Sequence, residues 1–227
     1  WKGNINIKLT EKQDVAVKFA STGHNMCIFG KAGIGKTTVV DRIVKSLTAK
    51  GLKCQIVCSS GISCDPYHGM AKTVHFHYGL QTAELPGNLV IGRSLGRKNV
   101  FLRITDTKVL IWDKVSMTSQ RIFHIVNAIH HMVFNNDLPF GGIQIILVGD
   151  FWQLKPVPSA LDPGKSIVSS QLFHKVFPHR FELHKVLRQG DDDYELKDAL
   201  DFLREGQCND EVEQYLQSLA RDLDSTA

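Results

Sequence analysis

The chain has 227 residues, 43% of them hydrophobic and 22% charged, enough apolar material for one large domain or a domain with an appendage. No apolar run approaches the length of a bilayer span, which excludes a transmembrane helix and a membrane partner, and no repeat or low-complexity run is present. The net charge of +4 conceals an asymmetry: from Asp191 onward 12 acidic residues stand against 3 basic ones, a net of −9, leaving 24 basic and 11 acidic residues, a net of +13, in residues 1–190. A basic body with an acidic tail suits a polyanionic partner for the body, and a solvated surface accounts for the same numbers. Five cysteines, an odd count without a secretory signal pattern, point to free thiols in a reducing compartment. The first residue is Trp1 rather than Met, so the chain reads as a fragment or processed piece.

In chain order, Thr10 is a capping residue for a helix through Val15, Ala16, Phe19 and Ala20. Ser21 to Asn25 is a turn, and Met26 to Phe29 is an apolar strand. Gly30 to Thr38 is a glycine-rich loop, and Val39 to Leu47 carries apolar residues at helical spacing up to a stop at Lys50-Gly51. Lys53 to Cys58 reads as a second, buried strand, Ser59 to Gly69 as a loop, and His75 to Leu80 as a short helical or irregular stretch. Residues 81–105 show weak periodicity and read as a surface excursion, whose basic residues from Arg93 to Lys108 suit either a nucleic-acid patch or a solvated loop. Val109 to Asp113 is a third strand, Thr118 to Phe134 an amphipathic helix, and Ile143 to Val148 a central strand. Arg180 to Leu183 reads as a further short strand. Two acidic helices, near Tyr194–Glu205 and Asp210–Leu223, close the chain. Strands alternating with helices predict an α/β fold with a mainly parallel sheet covered on both faces, residues 1–190, and an acidic helical appendage, residues 191–227.

The loop fits G-x-x-x-x-G-K-[ST] through Gly30, Gly35, Lys36 and Thr37, with Gly33 as an extra glycine and Lys31, Ala32, Ile34 and Thr38 completing the candidate cradle. Glycines let inward N–H groups approach phosphate oxygens, Lys36 adds a point charge, and the Thr37 hydroxyl suits Mg²⁺. The strand before it and the helix after it supply the context this motif requires, with the helix dipole aimed at the same anion. Asp113 at a strand end is a candidate Mg²⁺ partner. Gln153, in Gly149-Asp150-Phe151-Trp152-Gln153-Leu154, and Arg188, beside Gln189, are candidates for the terminal phosphate. No Asn-Lys-x-Asp guanine reader is present, which argues against a GTPase, and a small-molecule kinase leaves the Gly149–Val157 string unexplained. Cys54, Cys58, Cys64, His68 and His75 lack a C-x-x-C pair and read as packing residues rather than a metal site.

Leu9-Thr10-x-x-Gln13, the phosphate loop, Ser60-Gly61-Ile62, Thr73-Val74-His75-Phe76, Leu110 to Met117, Gly149 to Val157 and Arg188-Gln189 occur in the order found in Pif-family DNA helicases. The chain resembles the first RecA-like, P-loop NTPase domain of those superfamily-one motors from about Leu9 to Gly206. The resemblance implies an ATP-dependent helicase moving 5′ to 3′ on single-stranded or forked DNA, in repair, recombination and genome or telomere maintenance, in the nucleus or mitochondrion. It also implies that Gln13 meets adenine and that Lys36, Thr37 and Asp113 meet phosphates and Mg²⁺. Gln153 and Arg188 would serve the γ-phosphate. Ser60, Gly61, His75 and Phe76 would then lie on the DNA side, although Phe76 reads as core from its pattern alone. Two positions depart from the family pattern. Lys114 stands where it has the Glu that polarises the attacking water, and Lys155 stands where it has Pro. A cation at 114 cannot accept a proton and is expected to compete with Mg²⁺. The second RecA-like domain of such helicases has no counterpart after Gly206, so this stretch alone is expected to bind nucleotide but not to unwind DNA.

Overall fold

The computed structural model describes residues 8–81, 83–184 and 194–220. The chain divides into two compact units, Trp1–Lys185 and Val186–Ala227. In the first unit, six strands form one parallel sheet in the order β3-β2-β4-β5-β1-β6: β1 Met26–Phe29, β2 Cys54–Cys58, β3 Ala71–Thr73, β4 Val109–Asp113, β5 Gln144–Gly149 and β6 His179–Glu182. The central pair β4 and β5 is buried at every position, as an unbroken apolar run in a parallel sheet requires. Strand alternation divides these residues between two layers. Leu110, Trp112, Ile145 and Leu147 join the cluster under α6 (Gln120–Phe134), where Phe123, Phe140 and Phe177 pack edge to face or tilted. The intervening Ile111, Ile146 and Val148 are equally buried on the opposite side. There α1 (Glu11–Ala20) and α2 (Lys36–Ala49) pack together and bury Ala16, Ala20, Val40, Ile43 and Leu47.

Residues 81–105 are more than a surface excursion. They hold α4 (Gly87–Leu95) and α5 (Lys98–Asp106), which pack on α6 and bury Val90, Val100 and Ile104. Their glycines and basic residues hid three buried positions in a weak pattern. The basic stretch Arg93–Lys108 is therefore largely helical. The stretch at His75–Leu80 contains α3 (Val74–Tyr78), capped by the Thr73 side chain, which accepts from the Phe76 N–H at 3.2 Å. β3 and α7 (Gln171–Val176) are too short to leave a readable period. Among its described residues the second unit holds two helices, α8 (Tyr194–Arg204) and α9 (Asp210–Ser218), with the Asn209 side chain accepting from the Val212 N–H at 2.9 Å.

Burial at His77 and His130 makes the fold pH-sensitive. Both imidazoles are fully buried, and desolvation holds each pKa down to about 3, with Arg103 a further depressing charge at His77. The unfolded chain titrates its histidines near pH ~6.5, so as pH falls it takes up protons that the folded state refuses. Stability is therefore fully present above about pH 6.5 and is lost as pH falls from there toward 3, each histidine contributing about 1.4 kcal/mol per pH unit. Thermal melts are expected to be flat from pH 8 to 7 and to drop between 6.5 and 5. His77→Leu is expected to shallow that slope, and a pH-independent melting temperature would contradict the burial.

Candidate functional site

All strands run parallel, so their carboxyl ends share one edge, and the candidate residues that the structure describes lie in the segments leaving it or in helices bonded to those segments. After β1, Gly30, Gly33 and Gly35 adopt φ of 145°, 80° and 78°. A Cβ at Gly30 would collide with the carbonyl oxygen of Leu183, the residue just after β6, which reserves this position for glycine. Ile34 is fully buried and anchors the loop. Helix α2 starts at Lys36 without a side-chain cap and without an acid in its first turn, whereas α1 has both Thr10 and the pair Glu11 and Asp14. The start of α2 thus keeps its positive end uncompensated. Lys36 Nζ donates to the carbonyls of Gly30 and Lys31, at 2.7 Å each, which draws the ammonium across the loop.

Gln13 is buried, and both ends of its amide are engaged. Its Nε2 donates to the Ile34 carbonyl at 2.9 Å, while its Oε1 accepts from the Thr10 N–H at 2.9 Å. The residue therefore ties the capping box of α1 to the phosphate loop, a link that its local motif did not reveal.

Strand β4, which β5 separates from β1 in the sheet, ends at Asp113, which is buried and held on both oxygens. Oδ1 accepts the Lys114 N–H at 2.7 Å and Oδ2 accepts the Tyr67 hydroxyl at 2.6 Å. Tyr67 comes from the 3₁₀ turn Ile62–Tyr67 after β2. Burial, and then the Asp113 charge, pushes the phenol far above its usual range, so it stays protonated. Sequence reasoning missed Tyr67, which lies in a stretch read only as a loop.

Lys114 has left-handed backbone angles, φ 55° and ψ 38°. Its Nζ donates to Gln153 Oε1 at 3.1 Å, so the ammonium reaches the glutamine rather than the Asp113 carboxylate. Gln153 itself is positioned by Asp150: its N–H donates to the Asp150 carbonyl at 3.0 Å, and the Trp152 N–H donates to Asp150 Oδ1 at 3.1 Å. Arg188 and Gln189 lie outside the described residues.

Ser60, Gly61, His75 and Phe76 follow β2 and β3, at the far end of the same edge. Ser60 Oγ pairs with Ser63 Oγ at 2.6 Å, and Gly61 is exposed. Ser59, just before them, donates to the Lys114 carbonyl at 2.8 Å, so this turn touches the segment beyond Asp113. Phe76 is 57% exposed, which corrects its reading as a core residue. α3 is a single short helix, and its ring lies on the outward side with Lys72 Nζ and Arg103 Cζ 5.0 and 4.8 Å from the centroid. His75, half-buried, and Arg97 line the same 320 Å³ hollow. Among the described residues, no group of three or more His, Cys, Asp or Glu converges as a metal cluster, and the five cysteines are free.

A parallel α/β sheet whose β1 feeds a glycine loop into an open helix start, beside a strand-terminal aspartate, defines a P-loop nucleotide-binding domain of RecA type. The PIF1-like helicase profile matches residues 8–214, and the chain belongs to that family. It is 30% identical to the human "ATP-dependent DNA helicase PIF1" over 94% of its length and 32% of the relative's. It is 31% identical to the Xenopus laevis protein of the same name, over 92% and 32% respectively. The crystal structure of Pif1 helicase from Candida albicans superposes with a TM-score of 0.86 at 28% identity, covering 96% of this chain and 49% of that one. The chain thus spans about a third of the length of these curated relatives.

Proposed function

We propose that the chain is the first motor domain of an ATP-dependent DNA helicase that moves 5′ to 3′ on single strands, acting in repair, recombination and genome or telomere maintenance in the nucleus or mitochondrion. The observation that carries this reading is the order of stations along one sheet edge. Ser60, Gly61, His75 and Phe76 follow β2 and β3, Asp113 and Gln153 follow β4 and β5, and the loop Gly30–Thr38 follows β1. Nucleic acid, hydrolysis and nucleotide would then occupy adjacent strands, linked through Ser59 and the Lys114 carbonyl.

In this reading the loop N–H groups and Lys36 hold the phosphates of ATP, Gln13 steadies the loop beside the adenine, and Arg188 joins Gln153 at the γ-phosphate. Thr37 and Asp113 suit Mg²⁺, because a hydroxyl and a carboxylate are the hard oxygen donors this cation takes. The cation, when bound, neutralises charge on the β- and γ-phosphates. A second RecA-like domain would complete the site. Phe76, flanked by Lys72 and Arg103, offers a stacking face beside phosphate-binding cations. Phe76→Ala is therefore expected to weaken single-stranded DNA binding by about 1–3 kcal/mol, roughly 5- to 150-fold, with nucleotide affinity unchanged. Fluorescence anisotropy with an oligonucleotide checks this, and unaltered DNA affinity would remove Phe76 from the interface.

A second reading, a degenerate module that holds ATP and DNA with impaired hydrolysis, is favoured by the bond from Lys114 Nζ to Gln153. Turnover by the natural sequence with the second domain present separates the two.

A further inference from the structure

The 3₁₀ turn Ile62–Tyr67 begins beside Ser60 and Gly61 and ends at the buried Tyr67. A buried phenol needs a partner, and this one finds it in the carboxylate that ends β4. Its hydroxyl donates to Asp113 Oδ2 at 2.6 Å. The remaining carboxylate oxygen, Oδ1, accepts the Lys114 N–H at 2.7 Å.

We propose that Tyr67 is a positioning residue for the divalent-cation subsite, orienting the Asp113 carboxylate toward the cation. The proposal rests on the reading of Gly30–Thr38 as a nucleotide cradle. Hydrogen-bond direction supplies the mechanism. A protonated phenol has one proton, and that proton goes to Asp113. That bond takes one lone pair of Oδ2 and leaves the others for the cation. Asp113 is held by one donor on each oxygen, so its carboxylate plane is fixed before any cation arrives. Tyr67 touches neither phosphate nor the reacting atoms, and acts through Asp113.

Outer-shell partners of this kind change metal affinity by about 10- to 100-fold. Tyr67→Phe keeps the buried ring and removes only the hydroxyl. The test is binding of a fluorescent ATP analogue to the full-length protein, once in EDTA and once across a MgCl₂ titration. The half-saturating Mg²⁺ concentration is expected to rise about 10- to 100-fold in Tyr67→Phe, with EDTA affinity unchanged. An unchanged Mg²⁺ midpoint overturns the proposal. So does an equal loss of affinity with and without Mg²⁺, since that marks a role in packing alone. A wild-type protein that binds no nucleotide in either condition instead overturns the nucleotide reading on which the proposal stands. Mg²⁺-dependent thermal stabilisation by ATP, compared between wild type and variant, gives an independent measure of the same midpoint.

Discussion

Lys114→Glu is expected to raise single-stranded-DNA-stimulated ATP turnover by about 10²- to 10⁴-fold, the usual worth of a positioned general base. The side chain at 114 is a cation, which can neither accept a proton from water nor lower its barrier to attack. It also donates to Gln153 Oε1 at 3.1 Å, so the two side chains nearest the proposed point of attack are engaged with each other. Glutamate removes that bond, leaves the Gln153 oxygen for water, and supplies an acceptor. The substitution is unusually clean because the backbone at 114 is pinned from both sides. Its N–H donates to Asp113 at 2.7 Å, and its carbonyl accepts from Ser59 at 2.8 Å. The left-handed angles are equally costly for Lys and Glu, so only the side-chain chemistry changes. Phosphate release by the full-length protein with DNA present checks the effect. Equal turnover by both proteins, with nucleotide affinity intact, would show that position 114 does not limit hydrolysis.

The sheet was readable because its signals are local. Met26–Phe29, Val109–Asp113 and the run before Gly149 are continuous apolar strands, and the glycine loop announces itself by spacing. The long amphipathic helix over Gln120–Phe134 was equally plain, since Ile122, Ile125, Val126 and Ile129 repeat at helical period and are buried. What escaped were contacts between residues far apart in the chain. Tyr67 reaches Asp113 across 46 positions, Lys114 reaches Gln153 across 39, and Gln13 reaches Ile34 across 21. No periodicity encodes such pairs. Lys114 shows this most directly. The sequence marked it as a departure at a catalytic position and suggested competition with Mg²⁺, whereas the side chain extends past Asp113 to the next strand's loop. Phe76 failed for the opposite reason: an aromatic in a short helix ordinarily packs inward, whereas this ring is exposed with Lys72 and Arg103 beside it.

Lys36→Ala should abolish nucleotide binding at micromolar concentrations while sparing DNA binding. The ammonium now holds two loop carbonyls at 2.7 Å, and it is the positive side chain at the mouth of α2, whose first turn contains no acid. In the proposed reading, nucleotide binding would exchange those carbonyls for phosphate oxygens, a gain because the new partners carry full negative charge. Hydrogen bonds to charged groups are worth about 1.5–3 kcal/mol each, so losing two reduces affinity by roughly 10²- to 10⁴-fold. The variant also leaves the carbonyls of Gly30 and Lys31 without this donor. Some loss of loop order is therefore expected, and Lys36→Arg controls for it: the guanidinium retains charge, but its planar fork cannot reproduce the point contact of an ammonium. Binding is then expected to fall in the order Lys, Arg, Ala in calorimetric titrations with ATP. Phe76 and the Ser60–Gly61 turn lie beyond β4 and β5 from this loop, so oligonucleotide affinity without nucleotide should stay at the wild-type value. A parallel fall in both affinities would mean that Lys36 supports the domain rather than the phosphates.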